Sequence, residues 1–347
     1  MPGETLGFPP QRTDALLQRL TSELRARTTQ VGQEAVTGRR TDPAAQLDGR
    51  IAEVLNMETR LASLAELGPS LALAETRAEL TQASLDTLST TSVDLANSMQ
   101  FALETGTEAT LASASLEARQ ALGQVTSSLN VTLGGRSLFA GDDDGAGAVA
   151  GSTTIREVAT PLITAETTPA DAYDAVADAF ASTASGTPFN PTDPPGPDAI
   201  YFGGKGDAPS LEVAPGERIA HQARADAPTI RAILRDVAVL GIAYDETVPL
   251  DAGMREGLAR RAVQGLRDNL ESLEEIRAGI GIAQARIAEA SANQAAEREM
   301  LNLRYLNLAG RDQVEAATEF QQVQSQLERL FLVTARLSQL SLASFLR

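Results

Sequence analysis

The chain has 347 residues, 43% of them apolar, which is enough for two or three compact units with cores of their own. Aromatics make up only 4% and Trp is missing, so those cores must rest on Leu, Ala, Val and Ile in closely packed helices rather than in a broad sheet sandwich. The lack of Cys excludes disulfides, thiolate metal sites and a thiol nucleophile, and a net charge of -17 argues against nucleic acid or an anionic membrane as partner.

In chain order, the first ten residues, through Pro10, have no basic region followed by an apolar run, so a cleavable secretory signal is not expected. Residues 11–37 read as a helix with Leu17, Leu20, Leu24, Val31 and Ala35 at partner-seeking spacing, ending at Gly38. Asp42 then suits a helix N-cap and Pro43 a first helical position. A helical pattern continues to about Thr132, with breaks expected at Gly68-Pro69 and Gly106. Leu47, Ile51, Val54, Leu61 and Leu64 mark one apolar face of it, and Leu80, Leu88, Leu95, Met99 and Leu103 another.

The texture changes over residues 142–214, which hold eight of the sixteen Pro residues. This stretch reads as a loop-rich unit with short strands at 199–202 and 210–213 and one helix near 170–181. Helical pattern returns at 228–244 and runs from about 251 to the end, with Gly279, Gly281 and Gly310 as weak points. The last segment carries Ala316, Phe320, Val323, Leu327, Leu330, Thr334, Leu337 and Ser341 at alternating steps of four and three, the seam of a helix that lies along another. No window of about 18 apolar residues occurs, so no membrane-spanning helix is expected.

The fold class expected is mainly α: long coiled-coil-like helices from both chain ends packed together, with a small β-containing inserted domain at the tip. Three parts follow: a terminal assembly domain from 1–39 and 311–347, a helical body from 40–141 and 215–310, and an insert over 142–214. Charge follows the same division. Six Arg against four acids leave residues 1–40 at +2, four against four leave 311–347 at 0, and the middle carries -19. Near-neutral ends can pack against copies of themselves while an acidic middle stays solvated. The residues expected to form the assembly interface are Leu17, Leu20, Leu24, Val31, Phe320, Val323, Leu327, Leu330, Leu337, Leu340, Leu342 and Phe345.

Catalytic chemistry finds little support. The single His, His221, allows neither a choice of triad partners nor a two-His zinc motif. Asp142-Asp143-Asp144 lacks the alternate acids and the twelfth-position Glu of a calcium loop, so a solvated turn is its default. Gly203-Gly204-Lys205-Gly206 lacks the phosphate-loop spacing and reads as a hairpin turn. Asn130-Val131-Thr132 matches a glycosylation acceptor but lies in a helical pattern, where a buried or interfacial role is expected. No enzyme, cofactor or metal is expected.

Four segments resemble the bacterial flagellin superfamily, and within it the branch found at the hook–filament junction. Gly38-Arg39-Arg40 with Asp42-Pro43-Ala44-Ala45 is similar to a shortened form of that family's Gly-Lys-Arg…Asp-Asp-Pro-Ala-Ala turn. The run from Asn130 through Gly134-Gly135-Arg136-Ser137-Leu138-Phe139-Ala140-Gly141 resembles its Asn-Thr…Gly-Arg-Tyr-Leu-Phe-Ala-Gly segment. Tyr201-Phe202-Gly203-Gly204 with Val213-Ala214-Pro215-Gly216 is similar to the strands returning from its insert, and Asp312…Ala316…Thr318 with Leu337…Leu342…Phe345-Leu346 resembles its C-terminal helix. The resemblance implies export through the flagellar type III apparatus, with a cytosolic chaperone, to an extracellular place on the flagellum. It implies as partners copies of this chain, the preceding hook-associated protein and flagellin, with no nucleic acid and no membrane. Filament flagellin itself is the alternative; an enzyme carried in the insert is the third reading, disfavoured by the missing His-Glu-x-x-His motif.

Overall fold

The computed structural model describes residues 10–41, 51–143, 147–192, 195–206, 210–214, 216–219 and 223–345; at helix positions 10–14, 105 and 338–345 it describes the backbone alone. The described chain is mainly α, as the sequence leads one to expect, with two small hairpins. The helices are α1 (Pro10–Thr37), α2 (Ile51–Thr105), α3 (Glu108–Leu129), α4 (Ser152–Thr164), α5 (Pro169–Ala181), α6 (Pro228–Ala243), α7 (Ala252–Ala309) and α8 (Gln313–Phe345). Two antiparallel pairs accompany them, β1 (Thr132–Leu133) with β2 (Arg136–Ser137), and β3 (Leu211–Ala214) with β4 (Glu217–Ile219). The chain forms two compact units, one of residues 1–65 and 294–347, the other of 66–293.

In the 66–293 unit the centre is α6, which is buried on nearly every side, the signature of a helix enclosed by others. Ile230, Ile233, Leu234, Val237, Ala238, Val239, Leu240 and Ile242 are fully enclosed. Around it pack Leu122 and Val125 of α3, Ile155 and Ile163 of α4, Val176 and Phe180 of α5, and Leu258, Leu266 and Leu273 of α7. The Ser115 hydroxyl on α3 donates to the Leu240 carbonyl at 2.7 Å and fixes α3 against α6 at a buried point. A smaller cluster joins Leu71, Ala74 and Ala78 of α2 to Val213 of β3 and Ile287 of α7.

Several expected breaks fall elsewhere. Pro69 lies inside α2, where it removes one helical hydrogen bond; Leu64 and Leu71, both buried, hold the chain on either side of it. Gly279 and Gly281 lie inside α7, where buried Ile280 and Ile287 secure the helix. Gly106 and Gly310 do end helices. The first helical run stops at Leu129 rather than at Thr132, because β1 and β2 turn there through Gly134 and Gly135, whose φ of +60° and +83° suit a two-residue hairpin loop. Asn130, just past the end of α3, ties instead to Val149: its Nδ2 donates to Val149 O at 2.8 Å and its Oδ1 accepts from Val149 N at 2.9 Å.

Residues 142–214 differ most from expectation. Two helices occupy the stretch, not one, and both bury their apolar stripes in the core shared with α3 and α6 rather than in a core of their own. In α4, Ile155, Val158, Ala159 and Ile163 form that stripe. Thr168 caps α5, accepting from Asp171 N at 3.2 Å, with Pro169 at the first helical position. Residues 199–202 make only an isolated bridge, Tyr201 to Val149, whereas the strand expected at 210–213 is β3. The Asp42-Pro43 turn lies outside the described residues.

Candidate assembly site

The unit of residues 1–65 and 294–347 is built from two helix pairs meeting at a clasp. The start of α2 packs on the end of α7 through Val54, Met57, Tyr305 and Ala309. Arg60 binds Glu297 in a two-point fork at 2.7 and 2.9 Å, and that bond draws the Glu297 carboxyl below its usual range. Tyr305 Oη donates to Glu58 at 3.0 Å; burial first, then this carboxylate, raises the phenol above its ordinary pKa. The other pair is α1 against α8, which run antiparallel.

The clasp closes where α1 stops and α8 starts. Gly38 adopts φ +65° and its N–H donates to Glu34 O at 2.9 Å, a left-handed helix stop that favours glycine. The chain then pairs in extended form with residues 309–311: Arg311 N donates to Gly38 O at 2.9 Å and Arg40 N to Ala309 O at 3.2 Å. Asp312 caps α8, its Oδ1 accepting from Val314 N at 2.8 Å and Glu315 N at 3.2 Å. Around this backbone sits a charge network. Glu34, 4% exposed, accepts from Thr41 N at 3.0 Å and lies 3.9 Å from the Arg311 guanidinium. Glu319 joins Arg27 at 2.5 Å and also Arg311; the bond from Arg27 is the main cause that lowers its pKa. Arg39 stacks over the Tyr305 ring at 5.0 Å, linking the clasp to the other helix pair.

Along α1 the seam positions Leu17, Thr21, Leu24, Thr28, Val31 and Ala35, all buried or half-buried, run in an unbroken alternation of four and three, with Gln30, Gly32 and Glu34 also covered near the clasp. On α8 the seam positions are Ala316, Phe320, Val323, Leu327 and Leu330, with Glu319 half-buried beside them. The structure thus brings together Leu17, Leu24, Val31, Phe320, Val323, Leu327 and Leu330 of the sequence-predicted set, with Val31 and Val323 the deepest. Leu20 and Leu337 are exposed, at 39% and 41%; side chains of Leu340, Leu342 and Phe345 lie outside the described residues. Thr21 and Thr28 take the stripe positions beside Leu20, and each hydroxyl donates to the carbonyl one turn back, Leu17 O at 2.7 Å and Leu24 O at 2.8 Å. A hydroxyl satisfied within its own helix can sit in a seam without a buried unpaired group. Gly32 admits Phe320, whose ring would stand 3.2 Å from the first carbon of any side chain there.

A single partner cannot cover α8. Leu330, Phe331, Leu332 and Val333 are consecutive, so their side chains point to every side of the helix. Phe331, Leu332 and Val333 remain 43%, 63% and 49% exposed against α1, and Leu16 on α1 is 60% exposed. Arg25 caps the Phe331 ring at 5.5 Å and leaves its other side open.

Among the described residues no group of three acidic or His side chains could hold a metal ion, and no helix is long and apolar enough to cross a membrane. His221 and Asp144 lie outside the described residues. Asp142 ties a loop, its Oδ1 accepting from Gly206 N at 2.9 Å. The most deeply buried acid of the larger unit, Asp236, is held by Arg235 at 2.7 and 2.9 Å and by Tyr173 Oη at 2.8 Å. Burial outweighs these bonds and pushes its carboxyl up to about 6. It faces packed helices rather than a cleft, with Gly265 of α7 directly against it.

Residues 263–346 match the family model of the bacterial flagellin C-terminal helical region. The fold is similar to that of a Vibrio parahaemolyticus protein described as a flagellar hook-associated protein, with a TM-score of 0.50 and 12% identity over 74% of this chain and 96% of that one. No curated protein matches the sequence. The chain is therefore flagellin-like in its C-terminal helical region, and shares its fold with a hook-associated flagellar protein.

Proposed function

We propose that this chain is a non-enzymatic structural subunit of the bacterial flagellum, an adaptor at the hook–filament junction that assembles through α1 and α8. The observation that carries the reading is the α8 run 330–333, apolar on all sides and covered by α1 on one side only. Burying the remaining exposed side chains against neighbouring copies would contribute on the order of 5–10 kcal/mol per subunit before the cost of association. The match of residues 263–346 to the flagellin C-terminal region supports this, because that region contains the same helix. On this reading the partners are copies of the chain, the preceding hook-associated protein and flagellin, and the subunit reaches the cell exterior unfolded through the flagellar export apparatus, escorted by a chaperone.

The same C-terminal match also favours a second reading, filament flagellin. Purified chain offered to hook fragments and to filament fragments separates the two. Addition of one layer on hooks supports the adaptor, and long self-propagating growth supports the filament subunit. Failure to add to either template would sink the flagellar reading.

A further inference from the structure

The α1–α8 pair has two unlike sides. In an antiparallel pair, residues one step before a seam position share one side and those one step after it share the other, because each step turns the helix by about 100°. The preceding side carries Leu16, Leu20 and Val333, which are 60%, 39% and 49% exposed and form an aliphatic ridge. The following side carries Ser22, Arg25 and Phe331, and there the pair leaves an open groove of about 570 Å3, lined also by Leu17, Thr21 and Thr334. The hydroxyls in the groove already have acceptors within their own helices. Ser22 donates to Arg19 O at 2.7 Å, Thr21 to Leu17 O at 2.7 Å and Thr334 to Leu330 O at 2.8 Å. The Arg25 guanidinium lies 5.5 Å from the Phe331 ring centre. With its polar groups satisfied in this way, the groove offers methyl groups and a ring, and suits an apolar occupant.

Ridge and groove lie on opposite sides of one helix pair, so a subunit cannot fill its own groove. Resting on the assembly reading above, we propose that the occupant is a second copy of this chain, whose Leu16, Leu20 and Val333 enter the groove beside Phe331. The two surfaces joined are different, so the contact is heterologous: each copy keeps a free ridge on one side and a free groove on the other. Addition then continues sideways into a row or ring instead of stopping at a closed pair. An isologous pair would lay ridge on ridge and leave both grooves open. Charge permits the contact, since residues 1–40 carry +2 and 311–347 carry 0 while the acidic part of the chain lies between them.

The lack of Cys makes this contact traceable by cross-linking. Three double variants of the full chain carry Ser22→Cys in the groove together with Leu16→Cys, Leu20→Cys or Val333→Cys on the ridge, and the single variants serve as controls. All four positions are exposed in the subunit, so the fold tolerates the changes. Each variant is incubated with hook fragments, and separately at high concentration without them, and then treated with a flexible bismaleimide. The expected result is a ladder of covalent dimers, trimers and longer multimers from at least one double variant, with every single variant left monomeric. Covalent dimers from a single variant would reveal contact between like sides and overturn the proposal. So would the absence of a ladder from all three double variants under both conditions. Addition to hooks without a ladder removes the ridge-in-groove contact and leaves the flagellar reading standing, whereas a ladder without addition to hooks supports the contact and counts against that reading.

Discussion

Phe180→Ala separates a shared core from an independent insert. The Phe180 side chain is 1% exposed, on the buried stripe of α5, and its ring meets Phe189 at 5.5 Å between centres with the planes tilted by 53°. Removing a buried Phe ring costs about 3–5 kcal/mol through lost burial and the cavity left behind, of which the aromatic pair supplies about 1. For a cooperative unit of this size each kcal/mol lowers the melting temperature by about 2–4 °C, so a drop of about 6–20 °C follows. Because α5 and α6 bury their stripes in one core, the loss should spread: amides of α6 and α7 should exchange faster together with those of α4 and α5. Thermal unfolding followed by circular dichroism, with hydrogen exchange read by peptide, measures both. If 152–201 lost protection while α6 kept its own, the stretch would be an independent insert and the shared-core account would be wrong.

Other perturbations carry equally definite expectations. Asp236 binds its proton more tightly folded than unfolded, so the folded state holds more protons between pH 4 and 6 and stability falls as pH rises through that window, by roughly 2–3 kcal/mol. Asp236→Asn should flatten that slope relative to the unaltered chain in urea titrations at each pH; an unchanged slope would show that Asp236 is not its source. Gly265→Ala places a methyl against the Asp236 carboxylate and the Tyr173 hydroxyl, and should cost about 1–3 kcal/mol, read as a shift in the urea midpoint at constant slope. Hydrogen exchange on verified monomer should find α1 and α8 far less protected than α6, since a two-helix pair buries too little to be stable alone; protection equal to that of α6 would contradict this.

The parts of the fold legible in the sequence are those where one periodicity dominates. The seams of α1 and α8 and the apolar α6 were readable because their Leu, Ile and Val recur at helical steps. Helix α4 was hidden by its Thr residues and Pro161, although Ile155, Val158, Ala159 and Ile163 carry a helical stripe. Gly68-Pro69 and the Gly279/Gly281 pair read as breaks, yet burial of flanking side chains outweighed their local penalty, a tertiary override of propensity. In the assembly site, Leu20 drew attention by its hydrophobicity whereas Thr21 occupies the seam, because the 3.5-residue period, not residue polarity, fixes which side faces the partner. Glu34 could not have been found at all: its role depends on Arg311, distant in sequence.

The central claim is that the open apolar sides of α1 and α8 are covered only in the assembly. Leu332→Asp addresses it directly, because Leu332 is 63% exposed in the isolated chain and a charge there should alter its stability by no more than about 0.5 kcal/mol. In the assembly the same carboxylate would be buried and unpaired at a helix interface, at a cost of several kcal/mol. Co-sedimentation with hook fragments should therefore show the unaltered chain bound and Leu332→Asp left in the supernatant with the same melting temperature; binding of the variant at the level of the unaltered chain would contradict the account.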